Sequence, residues 1–340
     1  MNETIAEFIL EIEPIIELCI SLPTLLVNLY FAFRFSQLDC FSPNFRILLV
    51  MTNIMTSLCT VVHPLPQLFS KEFYSVEKGN YGGAILVYGL HFIGMIFLMI
   101  IDSKYLMIAM ERRIAFKHRV NYESRDGRDA IVFLSYYLGA MFVLIFIKTA
   151  AMFYFSTEDS IDKRLHVAFV PEYCIYIFAP TTGLAFTTWI LGSYQFYKLS
   201  RFAAKYRYRA QSLSESFLIK QIAHVVDIML ALLVAYVFAV LFSGTCMFII
   251  LYLYFHRGHS TSSTYYLIFA NLAYFSVILK SLSTTTFNLQ MYYFPAMRRV
   301  IILDLKRVFG IELEMTIHPQ RSTHEEETRM YFSQLKQLWS

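Results

Sequence analysis

The stretch YLMIAMERRIAF, residues 105–116, carries an apolar run that stops at Met110 and passes straight into Glu111-Arg112-Arg113, with no glycine, proline or polar turn cluster between. A helix-compatible segment that turns from greasy to doubly basic within one residue changes solvent there. A guanidinium at the edge of a hydrocarbon layer costs little, whereas one at its centre costs several kcal/mol. The step at Met110 therefore reads as a membrane boundary, and the remaining boundaries are counted outward from it.

Composition agrees with a membrane chain. Of 340 residues, 57% are hydrophobic and 16% charged, with a mean hydropathy of +0.49. Soluble domains carry about 25% charged residues, so this chain has too few to cover a water-facing surface. The 32 Phe and 24 Tyr suit rings seated at headgroup level. The net charge of +4 gives no reason to invoke nucleic acid. Cys19, Cys40, Cys59, Cys174 and Cys246 show no paired spacing, so neither a metal site nor a disulfide scaffold is expected, and no cofactor is implied. The first apolar run has no basic stretch before it, so a cleavable signal peptide is not expected.

A helix needs about 20 mostly apolar residues to cross a bilayer. Uncharged runs predict an all-α bundle of seven spans, at about 12–33, 47–70, 81–110, 130–155, 170–197, 224–255 and 264–294. Fusing the last two would bury Gly258 and the polar RGHSTSS connection inside one very long helix. Lysine and arginine then set the orientation. The segments on the side of the first residues hold 5 of them, the opposite segments hold 21, and Lys104, Lys148 and Lys280 lie within spans. The expected topology has residues 1–11 outside and the C-terminus cytoplasmic. Asn2-Glu3-Thr4, a glycosylation sequon, falls on the expected outer side. Residues 296–310 place Met297, Ile301, Leu305 and Val308 at helical spacing, as in an amphipathic helix on the inner surface. Residues 311–340, with three successive glutamates, read as a solvated tail.

Ionisable groups inside spans must find partners or water and are functional candidates for that reason. Tyr88, His91 and Asp102 share a face of the third span, with Asp102 about 13 Å from Glu111 along the axis. Asp102 needs a cation, and Lys280, too deep to snorkel, is the natural one. That pair is expected to lock the resting bundle; alternatively, Lys280 lines a pocket and meets an anionic ligand. Tyr88, His91, Lys148 and Lys280 are the candidate pocket residues, with snorkelling an equal reading for Lys148 and a hydrogen-bonded core role favoured for His91. Lys104 is expected to snorkel from the face of Glu111, Glu17 to sit at the interface, and Asp227 to meet loop bases. His63-Pro64-Leu65-Pro66 must distort the second span, and Pro23 and Pro180 should loosen the first and fifth.

Glu111-Arg112, at the inner exit of a third span, resembles the acid-arginine signature of G-protein-coupled receptors, in which the arginine is held in one state and released toward a transducer in the other. The longer stretch MERRIAFKHRVNYES (110–124) is similar to the cytoplasmic motif of nematode serpentine chemoreceptors, with Ala115, Lys117 and Tyr122-Glu123 in register. A second stretch, SLSESFLIKQ (212–221), is similar to the Leu-Ser-rich segment before the sixth span of that superfamily, with Ser216 where a basic residue is expected. Class epsilon fits best, and the alpha and beta classes are rivals. The resemblance implies a small-molecule ligand among the outer halves of the spans, coupling to a heterotrimeric G protein through Glu111, Arg112 and Arg113, and a place in the plasma membrane of sensory neuron cilia. The chain departs from rhodopsin-like receptors in lacking a cysteine within 79–90, a proline in the sixth span and an Asn-Pro pair in the seventh.

No motif for hydrolysis, nucleotide binding or metalloprotease chemistry occurs, and Asp102 and Asp227 are single carboxylates, so an enzyme is not expected. A seven-span ion channel or transporter is the competing expectation, because charges within spans also suit ion paths.

Overall fold

The computed structural model describes residues 3–38, 41–119, 127–170, 175–206, 213–258, 263–293 and 295–310. The described residues form nine α-helices and no strand: α1 (Glu3–Gln37), α2 (Pro43–Val62), α3 (Tyr81–Lys117), α4 (Arg128–Phe155), α5 (Ile161–Phe169), α6 (Ile175–Tyr206), α7 (Leu213–His256), α8 (Thr264–Gln290) and α9 (Pro295–Phe309). Asn2, Cys40, Cys174 and the segment 311–340 lie outside the described residues.

Among the described residues six helices, α1, α2, α3, α4, α7 and α8, contain stretches long and apolar enough to cross a membrane, which makes this a membrane-embedded chain. The clearest case is α4, where only 11% of the most apolar stretch is buried. Its outward side chains include Phe142, Val143, Leu144, Phe146 and Ile147. A continuous apolar face of that size has no counterpart on a water-soluble monomer and belongs against lipid. The 32-residue helix α6 is also long, and carries Pro180, four threonines and two glycines.

α1, α2, α3, α6, α7 and α8 close a ring in which each packs on the next and α8 returns to α1. α3 also touches α4, α7 and α8 and so forms the central post, with α4 outside against α2 and α3. Gly192 allows α6 to lie close to this post, because a Cβ there would meet the Leu106 backbone nitrogen at 3.1 Å.

Local chemistry sets the ends. α2 stops at Val62, where Pro64 and Pro66 remove backbone donors, and Leu65–Leu68 forms one 3-10 turn. α1 and α6 instead run on through Pro23 and Pro180. α3 continues past Met110 for two further turns, carrying Glu111, Arg112 and Arg113 on regular helix. α5, a nine-residue helix in the loop after α4, has no expectation in the sequence reading.

Candidate functional site

Two ends of the bundle carry distinct chemistry, and a file of polar side chains runs between them. At the end where α3 begins, α5 is clasped to the segment 70–80. The Asp162 carboxylate accepts from Ser75 Oγ at 2.5 Å and from the Val76 backbone nitrogen at 2.7 Å. Glu77 Oε1 accepts from Ser160 Oγ and from the Ile161 backbone nitrogen, capping α5 from across the clasp. Tyr88 stands beneath, buried, its ring packed on Tyr74 and Phe169 and its hydroxyl donating to the Asp162 carbonyl at 3.4 Å. Burial, and then the Asp162 charge, push the Tyr74 phenol up. Tyr88 thus belongs to the clasp.

Below lies a cleft between α3, α6, α7 and α8. Thr181, Thr182, Ser243 and Ser276 put hydroxyls on its wall, Phe186, Val240, Tyr274 and Val277 make much of the apolar part, and Asp102 and Lys280 also line it. Lys280 Nζ donates to Asp102 Oδ1, and both side chains are buried. A smaller cleft shares Leu98, Tyr274 and Val277 with it and is lined by His63 and His91. His63 stacks on Tyr274 with ring centroids 4.4 Å apart and places Nδ1 3.0 Å from Glu17 Oε2. Glu17 is therefore buried, at 2% exposure, contrary to the interfacial position expected of it. The His63 imidazole reaches it because α2 ends there. Lys148, half-buried on α4, lines neither cleft, and Asp227 is exposed on α7.

Lys104 also corrects the sequence reading. Instead of snorkelling along α3 it is buried and reaches α8, where Nζ donates to the Lys280 carbonyl at 3.2 Å and to Thr284 Oγ1 at 2.5 Å. A four-carbon stem can leave its own helix face when a carbonyl and a hydroxyl stand opposite. At the same level, Tyr105 shares a hydrogen bond of 2.9 Å with Ser283 and packs edge-on against Tyr236. One turn on, Asn288 Nδ2 donates to Asn28 Oδ1 at 2.9 Å and to Asn53 Oδ1, joining α8 to α1 and α2. Lys280, Thr284 and Asn288 are four residues apart and share one stripe of α8. The sequence reading passed over this stripe; its signal was the polar run SLSTTTFN (281–288) within an otherwise apolar span.

At the far end Arg112 is fully buried. Its Nη2 donates to Glu111 Oε1 at 2.7 Å and to Ser42 Oγ at 3.1 Å, and its Nε donates to Glu111 Oε2. The guanidinium lies 3.7 Å above the Phe45 ring centroid. Arg113, by contrast, points out and donates to Gln195 on α6 at 3.0 Å. Arg119 Nε donates to the buried Glu215, tying the end of α3 to the start of α7, and Tyr30 and Arg34 of α1 both donate to Asp304 of α9. Among the described residues no group of three or more metal-ligating side chains occurs.

Compared with protein-family models, with curated proteins and with solved structures, the chain matches none. Its function must therefore be argued from the geometry.

Proposed function

We propose that this chain is a chemosensory G-protein-coupled receptor of the kind its motifs resemble, the nematode serpentine class epsilon. α6 joins the six apolar helices as the fifth of its seven spans, the first residues face the exterior, and the Arg112 end faces the cytoplasm. The 21-to-5 distribution of basic residues supports that orientation, and it puts the cleft in the half of the bundle open to chemicals outside. A small ligand enters that cleft, binds one arrangement of the helices better than another, and shifts the population by that difference. Arg112 then becomes available to a heterotrimeric G protein. The reading places the chain in the plasma membrane, at sensory neuron cilia, with Asn2 available for glycosylation.

The observation that carries this reading is the sequestration of Arg112. A fully buried guanidinium held by its neighbouring glutamate, Ser42 and a ring face is a charge stored at a membrane boundary, and it needs movement of α2 against α3 to be released. A structural anchor would have no reason to leave the headgroup region. Cells expressing the chain and screened with small organic compounds are expected to give calcium responses that disappear when functional G proteins are removed. Arg112→Ala at unchanged surface expression is expected to abolish them. An intact response would remove the coupling role, and a ligand-gated current that persists without G proteins would establish the channel reading.

A further inference from the structure

Ser42 and Pro43 form a serine-proline step at the threshold of α2, and Ser42 is half-buried. Its backbone is extended, with ψ at 144°, the conformation that a following proline imposes. Its hydroxyl does not cap the helix, Pro43 brings no N–H, and the Asn44 side chain is engaged by the Ala130 backbone nitrogen. The first turn of α2 holds no acidic residue to answer the positive end of the helix.

Arg112 meets this corner with donors to spare. A guanidinium has five N–H groups. Glu111 takes one edge, through Nε and Nη2, and Ser42 Oγ takes the second N–H of Nη2. Nη1, which carries the other two, is buried without a hydrogen-bond partner among the described residues. The open edge therefore runs from Nη1 to the nitrogen already on Ser42, and an oxyanion attached at Ser42 would meet both. Arg46, one turn further along α2, adds a positive charge. Glu111 and Asp129 stand at the same end and repel a further anion. Water at the boundary screens that repulsion, and direct contact with an open guanidinium edge outweighs it.

We propose that Ser42 is a phosphorylation site for a proline-directed protein kinase, and that the phosphate fastens Arg112 in its buried position. The kinase transfers the γ-phosphoryl group of ATP. A bond forms between Ser42 Oγ and phosphorus, the bond from phosphorus to the β–γ bridging oxygen breaks, ADP leaves, and the hydroxyl proton passes to the base of the kinase. The product carries a charge of about −2 and three acceptor oxygens. Two of them take Nη1 and Nη2, and the third answers the backbone nitrogens at the start of α2. The receptor reading puts Ser42 in the cytoplasm, where ATP is, so the assignment rests on that orientation. Its consequence, a receptor held silent, rests on the coupling role of Arg112.

The test uses the full chain in lipid nanodiscs, treated with a purified proline-directed kinase and ATP and read by peptide mass spectrometry. Phosphate is expected on Ser42, and Pro43→Ala, which keeps the acceptor, is expected to lose it. Phenylglyoxal, which labels accessible guanidinium groups, is then expected to react with Arg112 about tenfold more slowly after phosphorylation, with the exposed Arg113 unchanged. No phosphate on Ser42, or phosphate that leaves Arg112 labelling unchanged or faster, would overturn the assignment. Equal protection of Arg112 in Ser42→Ala by inorganic phosphate or by phosphatidylserine vesicles would overturn it too, since the edge would then serve a passing anion. In cells, co-expressed kinase is expected to lower the G-protein response severalfold, and Ser42→Ala to escape that loss. A phosphorylated, protected chain with no G-protein response to the compounds screened would sink the receptor reading and leave the modification site standing. A response that the kinase suppresses equally in Ser42→Ala would do the reverse.

Discussion

At the scale of single residues, the Asp102–Lys280 pair lies outside the reach of water-soluble screening, so its members depend on one another more than on anything else nearby. Removing one partner of a buried pair strands the other charge, at a cost of about 3–5 kcal/mol, whereas replacing both with apolar groups is often neutral. Lys280→Met is therefore expected to lower the melting temperature of the ligand-free protein, and Asp102→Leu combined with Lys280→Met to restore most of it. A double variant no more stable than the worse single one would mean the two act separately. The sequence led to this pair because a span interior offers few cations and Lys280 was the deepest. It misled for Lys104 and Glu17. Seven-residue spacing and proximity to a helix end describe a side chain's origin, whereas the partner that captures it, Thr284 or His63, comes from another helix and is set by packing.

At the scale of elements, the long apolar helices were legible, since hydrocarbon thickness acts on contiguous sequence. α5 was not legible. It has nine residues, mixes acid, base and apolar side chains, and is fixed by contacts to the segment 70–80, more than eighty positions away. Asp162 is the centre of that attachment. A hydrogen bond to a charged group contributes about 1.5–3 kcal/mol, so Asp162→Ala is expected to speed amide exchange across 70–80 and 161–169 by at least about tenfold, with α3 unaffected. Unchanged exchange would show that the ring contacts of Tyr74, Tyr88 and Phe169 suffice. α9 offers a parallel case. Asp304→Asn weakens its ties to Tyr30 and Arg34, and protection of 295–309 should fall while that of α1 holds.

At the scale of the whole molecule, the closed ring of α1, α2, α3, α6, α7 and α8, with α4 outside, divides its side chains between two solvents. Spin labels at Phe142 and Phe146 of α4 are expected to relax faster with dissolved oxygen than with a water-soluble nickel chelate, and a label at Lys163 of α5 to show the reverse. Equal access at Phe146 and Lys163 would mean that α4 does not face lipid. The closed ring itself was not readable from the chain. Run lengths predict how many helices there are, but which neighbour each takes depends on features such as Gly192, whose missing side chain only matters once α3 stands opposite.

The stripe of Lys280, Thr284 and Asn288 gives α8 an unusual fastening. Tightly fitted hydrocarbon between helices is something a passing water molecule neither dissolves nor competes with. This seam is stitched by charges and amides in the middle of the bundle, and every stitch has water as a rival. Wetting the centre of the protein would thus loosen α8 in particular, so that hydration becomes a key to this joint.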